Sequence, residues 1–249
     1  MIDLSQKVVL ITGGSRGIGE ACVKLFSGAN ASVAFTYKKE NLKSNELEKS
    51  SGPDVKSYRA DMESEKDINE LIQKIVADFG KIDILVHNAG IWNYGPLDSM
   101  TLDHWNETIR VNLTSTFLLC KAAAAIMKNN NFGRIILISS TAGQRGEAFH
   151  SHYAASKGGM ISFTKSLAVE LAQNNITVNS VAPGWVVTEM NDDVFEDKDF
   201  VAKLEMDIPV GRIATAEDIA GPTLFLASDL ARHINGEILN VNGGSVLCG

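Results

Sequence analysis

The sequence predicts an α/β protein: one domain built on a doubly wound parallel sheet of about seven strands, with helices on both faces. Three observations predict it. Short β-branched apolar runs alternate with longer helical patterns along the whole chain, the signature of strand–helix–strand units. The runs are apolar at nearly every position, as strands covered on both faces are. No internal repeat, low-complexity tract or Pro/Ser-rich linker interrupts the alternation, so residues 1–249 read as a single domain.

In order, Val8-Val9-Leu10-Ile11 is a strand and Gly17 to Gly28 a helix. Ser32 to Thr36 is a strand, followed by a polar helix from Leu42 to Lys49. Val55 to Tyr58 is a short third strand, and a helix from Glu65 to Phe79 precedes Ile84-Leu85-Val86. One long helix from Leu102 to Lys128 leads into Arg134 to Ile138, and a helix from His152 to Gln173 leads into Ile176 to Ser180. The last unit is a helix from Ala216 to Ala227 and a strand from Glu237 to Val241.

The net charge of −7 argues against a nucleic-acid or anionic-membrane surface, which needs a basic face. Cys22, Cys120 and Cys248 are scattered and odd in number, which makes neither a disulfide framework nor a metal site; they read as buried thiols in a reducing compartment. The five histidines lack ligand-like spacing, so no metal is expected. The N-terminus lacks the features of a signal peptide, and no apolar run approaches the ~18 residues of a membrane span. A cytoplasmic location is the resulting expectation.

In open parallel sheets ligands bind at the carboxyl ends of the strands, so the residues after each strand carry the functional reading. Directly after the first strand stands Thr12-Gly13-Gly14-Ser15-Arg16-Gly17-Ile18-Gly19. Glycines here permit a tight turn and close approach of backbone to a diphosphate, which the following helix N-terminus favours. The second strand ends in Tyr37-Lys38-Lys39 with no acid to hold ribose hydroxyls. Arg16 and Lys38 would instead attract a 2′-phosphate, so NADP(H) is expected over NAD(H). Lys39 reads as the start of a solvated helix with Glu40.

The glycine spacing, Gly-x-x-x-Gly-x-Gly, resembles that of the short-chain dehydrogenase/reductase family. The resemblance covers essentially the whole chain, through Asn88-Ala89-Gly90, Tyr153-Ala154-Ala155-Ser156-Lys157 and Pro183-Gly184. Within the family the pattern is most similar to the 3-oxoacyl-[acyl-carrier-protein] reductases, in its first loop, in Ile176 to Gly184 and in Asn240-Val241-Asn242-Gly243-Gly244. The resemblance implies a Rossmann-type fold and hydride transfer between NADPH and a ketone or secondary alcohol. It also implies a homotetramer and a mobile substrate lid at about 188–210.

It further implies roles for single residues. Gly13, Ser15, Arg16, Gly17, Ile18 and Gly19 form the cofactor loop, with Tyr37 and Lys38 beside it. Asp61 caps the adenine amine with help from Met62, although Asp61 could equally cap a helix in competition with Ser64. Asn88, Ala89 and Gly90 leave room for the cofactor. Pro183, Gly184, Val186 and Val187 pack the nicotinamide, and Thr188 bonds its carboxamide. Tyr153 and Lys157, four apart on one helix face, form the proton-transfer pair. A nearby ammonium is expected to lower the phenol's pKa, and Lys157 can also bond the nicotinamide ribose. Ser140, thirteen residues before the tyrosine, holds the substrate oxygen; its neighbour Ser139 faces away. Asn112 holds a water that links Lys157 to solvent, unless it is a plain surface residue.

Trp92, Tyr94, Gln144, Phe149 and Trp185 are expected to line the pocket, and His152 to sit near solvent at a helix start. The segment Glu189 to Asp207 is rich in acids. At the two places where carrier-protein reductases present docking arginines stand Asn131 and Asn174, which weakens steering of an acidic partner. An acyl thioester is therefore one candidate substrate among small ketones, quinones, sugars and steroids. A cofactor-binding regulator without catalysis, and a lyase or epimerase on the same fold, are the alternatives outside this class.

Overall fold

The computed structural model describes residues 2–39 and 42–247. Seven parallel strands are ordered β3-β2-β1-β4-β5-β6-β7. They are β1 (Val8–Thr12), β2 (Ser32–Tyr37), β3 (Val55–Arg59), β4 (Ile84–His87), β5 (Gly133–Ile138), β6 (Ile176–Pro183) and β7 (Ile238–Val241). The order reverses between β1 and β4, which leaves a crevice above their carboxyl ends.

Alternation along each strand sends side chains to two cores. Val9 and Ile11 of β1 face α1 (Gly17–Gly28), α2 (Leu42–Ser51) and α10 (Ala216–Ala227), meeting Cys22, Phe26, Leu47 and Ile219. Val8 and Leu10 face the other side, meeting Ile68 and Leu71 of α3 (Glu65–Phe79). Leu119 and Met127 of α5 (Ser115–Asn129), and Met160 of α7 (Ser151–Leu171), complete that layer. Cys22 and Cys120 are free and buried, and burial pushes both thiols up to about 12. Cys248 and Glu40 lie outside the described residues.

The expected helix from Leu102 to Lys128 is interrupted. α4 (Leu102–Ile109) passes through a π-helical turn at Arg110–Thr114 before α5 begins. The π turn is five residues long, too short to stand out in a periodicity reading of the whole stretch; such turns are frequent at functional sites. Leu102–Asn129 as a whole is long and apolar enough, by length and composition, to cross a membrane. That corrects the expectation that no segment would be; here the stretch packs on the sheet, with 44% of its most apolar window buried. Three short helices also went unread: α6 (Thr141–Arg145), α8 (Asp192–Phe195) and α9 (Lys198–Asp207).

The turn after β1 is compact because α1 packs directly beneath it. A Cβ on Gly19 would stand 2.0 Å from the Gly13 carbonyl oxygen, and Gly13 and Gly17 take left-handed backbone conformations at φ 65° and 54°. Gly19→Ala is therefore expected to destabilise the fold by about 1–3 kcal/mol, the cost of overpacking a tight site, read by denaturant unfolding. Unchanged stability would show that the loop can shift off the helix.

Candidate active site

Two adjoining clefts occupy the crevice. The first runs from the glycine loop (Gly13, Ser15, Arg16, Gly17, Ile18) past Tyr37 and Lys38 to Asp61 and Met62, and along Asn88, Ala89 and Gly90 to Thr188. The second holds Ser140, Tyr153, Lys157, Pro183, Gly184 and Val186, and shares Ile18, Asn88, Gly90, Thr188 and Met190 with the first. The expected cofactor and catalytic residues thus fall into one continuous groove, except Gly19, Asn112 and Val187, which line neither cleft. Gly19 serves under the loop. Val187 is 55% exposed and turned outward. Ser139 stands at the cleft wall and, as expected, turns its hydroxyl away, donating to the Val181 carbonyl at 3.0 Å.

Side-chain hydrogen bonds fix the floor. Thr12 Oγ1 accepts from the backbone N–H groups of Asn88 and Ala89, each at 3.1 Å. Asn88 Nδ2 donates to the carbonyls of Thr12 (3.2 Å) and Gly13 (3.0 Å). His87, fully buried, contacts Thr12 Oγ1 at 2.8 Å and Ser115 Oγ at 3.2 Å, and burial brings its imidazole down to about 3. It is a neutral strut that no sequence motif indicated.

Asn112 sits in the π turn and is completely buried, so the surface alternative is excluded. Its Oδ1 accepts from Ile91 N–H at 2.8 Å, and its Nδ2 donates to the Ile91 carbonyl (2.9 Å) and to Ser156 Oγ (3.1 Å). The amide is fully engaged in clamping the loop after β4 to α7.

Ser140 caps α6, its Oγ accepting from Ala142 N–H at 3.1 Å. Tyr153 and Lys157 project from α7, with the ammonium 5.7 Å from the phenol ring centre. Lys157 Nζ donates to the Ile138 carbonyl at the end of β5, 2.8 Å away. The expected lowering of the phenol's pKa is not found. Burial pushes Tyr153 up to about 12 and the charge of Glu147 adds to this, while a hydrogen bond with Ser140 opposes it. Burial also brings Lys157 down to about 8. Both groups are desolvated, which disfavours the charged form of each.

Around the adenosine end, Ser64 and not Asp61 caps α3, accepting from Asp67 N–H at 3.1 Å. Asp61 is left to pair with Lys38 at 3.0 Å, and Glu63 pairs with the same ammonium at 2.7 Å. Two carboxylates therefore neutralise Lys38, and they raise its pKa. Arg16 is exposed, lines the cleft and makes no ion pair among the described residues. Glu63, also 3.7 Å from Arg110, was not singled out from the sequence. Nothing in its local pattern marks it, because the contact depends on how β2, β3 and α4 meet.

The expected aromatic lining divides. Trp92 and Trp185 line the second cleft and meet edge to face, with ring centres 5.9 Å apart. Gln144 instead donates to Asn240 Oδ1 at 2.7 Å, and Phe149 stacks on Tyr94 at the surface. His152 contradicts the solvent-side expectation: it is fully buried, edge to face with His104 at 4.7 Å, because the loop after β4 folds over the start of α7. Glu147 and Arg145, unremarked in the sequence, also line the cleft. Burial raises the Glu147 carboxyl above its ordinary value, opposed by His150, by a hydrogen bond from Trp92 and by Arg145. No cluster of three or more potential metal ligands occurs among the described residues.

Known proteins are similar to this chain over nearly its whole length. A family model described as enoyl-(acyl carrier protein) reductase matches residues 13–245. The chain is 41% identical over 243 residues to the 3-oxoacyl-[acyl-carrier-protein] reductase of Escherichia coli (strain K12), covering 98% of both chains. The chain belongs to the short-chain dehydrogenase/reductase family. It is also 40% identical over 239 residues to an acetoacetyl-CoA reductase of Shinella zoogloeoides, covering 96% of this chain and 98% of that one. A crystal structure of a provisionally assigned gluconate dehydrogenase from Agrobacterium tumefaciens superposes with a TM-score of 0.94 at 30% identity, over 99% of both chains. Membership makes this protein an oxidoreductase that acts at CH–OH and C=O carbons.

The Asn112 clamp carries a direct expectation. Asn112→Ala orphans the half-buried N–H and carbonyl of Ile91, so stability should fall by about 1–3 kcal/mol in thermal or denaturant unfolding. A wild-type midpoint would mean that the loop re-pairs without the amide.

Proposed function

We propose that the protein transfers hydride between NADP(H) and a ketone or secondary alcohol, in the manner of a 3-oxoacyl-thioester reductase. The observation that carries this reading is the placement of Ser140, Tyr153 and Lys157 in a cleft continuous with the glycine loop. That loop fits a dinucleotide: a Cβ on Gly13, Gly14, Gly17 or Gly19 would crowd Ala89, Phe35, Thr188 or the Gly13 carbonyl, so the turn is bare backbone at these positions. When bound, the nicotinamide supplies or accepts the hydride.

The protein's residues do the rest. Ser140 bonds the substrate oxygen and holds it beside Tyr153. With its phenol pushed up to about 12, Tyr153 is protonated at neutral pH and ready to donate in reduction. Lys157 holds the cofactor ribose, and Asn112 positions the α7 turn that carries Tyr153. Thr188, Pro183, Gly184 and Val186 seat the nicotinamide. Arg16, which makes no ion pair among the described residues, reads the 2′-phosphate, and Lys38 joins it only by leaving Asp61 or Glu63. The segment at about 188–210, carrying α8 and α9, serves as the substrate lid.

A second reading, reduction of another small carbonyl, is favoured by the absence of arginine at positions 131 and 174 and by the aromatic walls of the cleft. Exposed Phe117 on α5 and Val169 on α7 support a homotetramer built on these helices. The buried free thiols of Cys22 and Cys120 suit a reducing cytoplasm.

Tyr153→Phe is expected to lower NADPH-dependent reduction by about 100-fold or more while leaving NADPH affinity within about twofold; wild-type rates would overturn the assignment. Arg16→Ala should raise KM for NADPH by about tenfold, a charge-assisted hydrogen bond's worth, with little change for NADH. In the oxidative direction Tyr153 must first lose its proton. Alcohol oxidation should therefore climb steeply between about pH 7 and about pH 9, as the phenolate fraction grows about tenfold per unit below its pKa. A flat profile over that range would count against Tyr153 as the base.

A further inference from the structure

Beyond the catalytic cleft lies a second chamber that the hydride-transfer chemistry does not use. Trp92, Trp185 and Glu147 line both spaces, so the chamber opens onto the reacting groups. Its remaining wall includes Phe200, Asp193 and His150. No lysine or arginine is among its lining residues.

The polar lining combines two carboxylates, Glu147 and Asp193, and the His150 imidazole with the neutral donor groups of Asn93, Tyr94 and the Trp185 indole. Glu147 Oε1 accepts from Trp92 Nε1 at 3.2 Å, and Oε2 has no hydrogen bond among the described residues. His150 is 92% buried by its 8% exposure and stacks on Trp92, with ring centres 4.3 Å apart and planes within 6°. Its Nδ1 lies 3.0 Å from the Ala148 carbonyl, which can only accept, so Nδ1 carries the proton. Nε2 is then a bare acceptor, buried and without a hydrogen-bond partner among the described residues. An unpaired buried acceptor is costly unless something donates to it. Arg145 lines the catalytic cleft and makes no hydrogen bond to Glu147 among the described residues.

Aromatic walls, two carboxylates and a bare imidazole nitrogen make a poor site for an anion and a good one for an N–H-donating cation. We propose that this chamber binds the protonated amine of the substrate, so that the enzyme acts on carbonyl compounds with a cationic arm. The inference rests on the carbonyl-reductase reading above and narrows its substrate. Glu147 and His150 Nε2 would accept from the ammonium, Trp185 and Phe200 would shield it, and Asp193 on α8 would approach from the lid side. The acidic lid then attracts the substrate.

Two measurements test this, one without catalysis. Two of the three tryptophans line the chamber, so their emission reports on it. Titration with n-butylammonium at fixed ionic strength should give a saturable change that n-butanol and butyrate do not give. Its apparent Kd should rise about tenfold in Glu147→Gln and less in Asp193→Asn. No saturable change, or an equal response to n-butanol, would overturn the proposal whatever the enzyme reduces.

The second compares initial NADPH oxidation rates with para-aminomethylacetophenone, its neutral isostere para-ethylacetophenone and the anionic para-acetylbenzoate. The cationic ketone should exceed the neutral one in kcat/KM by about tenfold, with the excess lost in Glu147→Gln. Turnover of both ketones without that preference removes the cation site and leaves the reductase standing. A saturable ammonium signal without turnover of any ketone supports the chamber and counts against the reductase.

Discussion

The side-chain amide of Asn112 ties the parts of the candidate site together. It stands in the π turn between α4 and α5 and bonds both backbone groups of Ile91 and the hydroxyl of Ser156. Ser156 in turn donates to the Tyr153 carbonyl at 2.7 Å. One buried amide thus joins the loop after β4, the long interrupted helix and the first turn of α7. A π turn widens the helix by one residue and turns a side chain inward that regular pitch would carry past. The groove floor then follows from Thr12 and Asn88, which tie the ends of β1 and β4 where strand order reverses.

Desolvation governs the chemistry of this site more than charge pairing does. Tyr153, Lys157 and His87 all lie at positions where burial disfavours their charged forms. A neutral phenol suits proton donation. Lys157 keeps its ammonium on a backbone carbonyl at the tip of β5, where it is positioned by the sheet and not by a carboxylate. At the far end the situation reverses: Lys38 is exposed and held by two acids, while Arg16 is left available.

Much of the site was legible because its motifs are local. The glycine turn, Asn88-Ala89-Gly90, Ser140, the Tyr153–Lys157 pair and Pro183-Gly184 each follow a strand, and parallel strands end at one edge. Adjacent positions were harder. Val186 and Val187 differ by one residue yet face opposite ways, and Gln144 and Phe149 lie in the right loop but turn to Asn240 and Tyr94. Glu63, Glu147 and His87 carry no motif, and their roles come from partners 25, 55 and 75 residues away.

The sequence by itself determined the strand–helix alternation, the parallel sheet, the glycine turn and the gathering of Ser140, Tyr153 and Lys157 in one cleft. Short-range periodicity and steric demands on glycine are written locally, so they survive without coordinates. Only the tertiary structure decided the π turn, the double occupation of Lys38, the direction of the Tyr153 shift and the aromatic chamber beside Glu147. Each of these depends on how much water is excluded and on which distant side chains meet, and burial is a property of the whole packed chain.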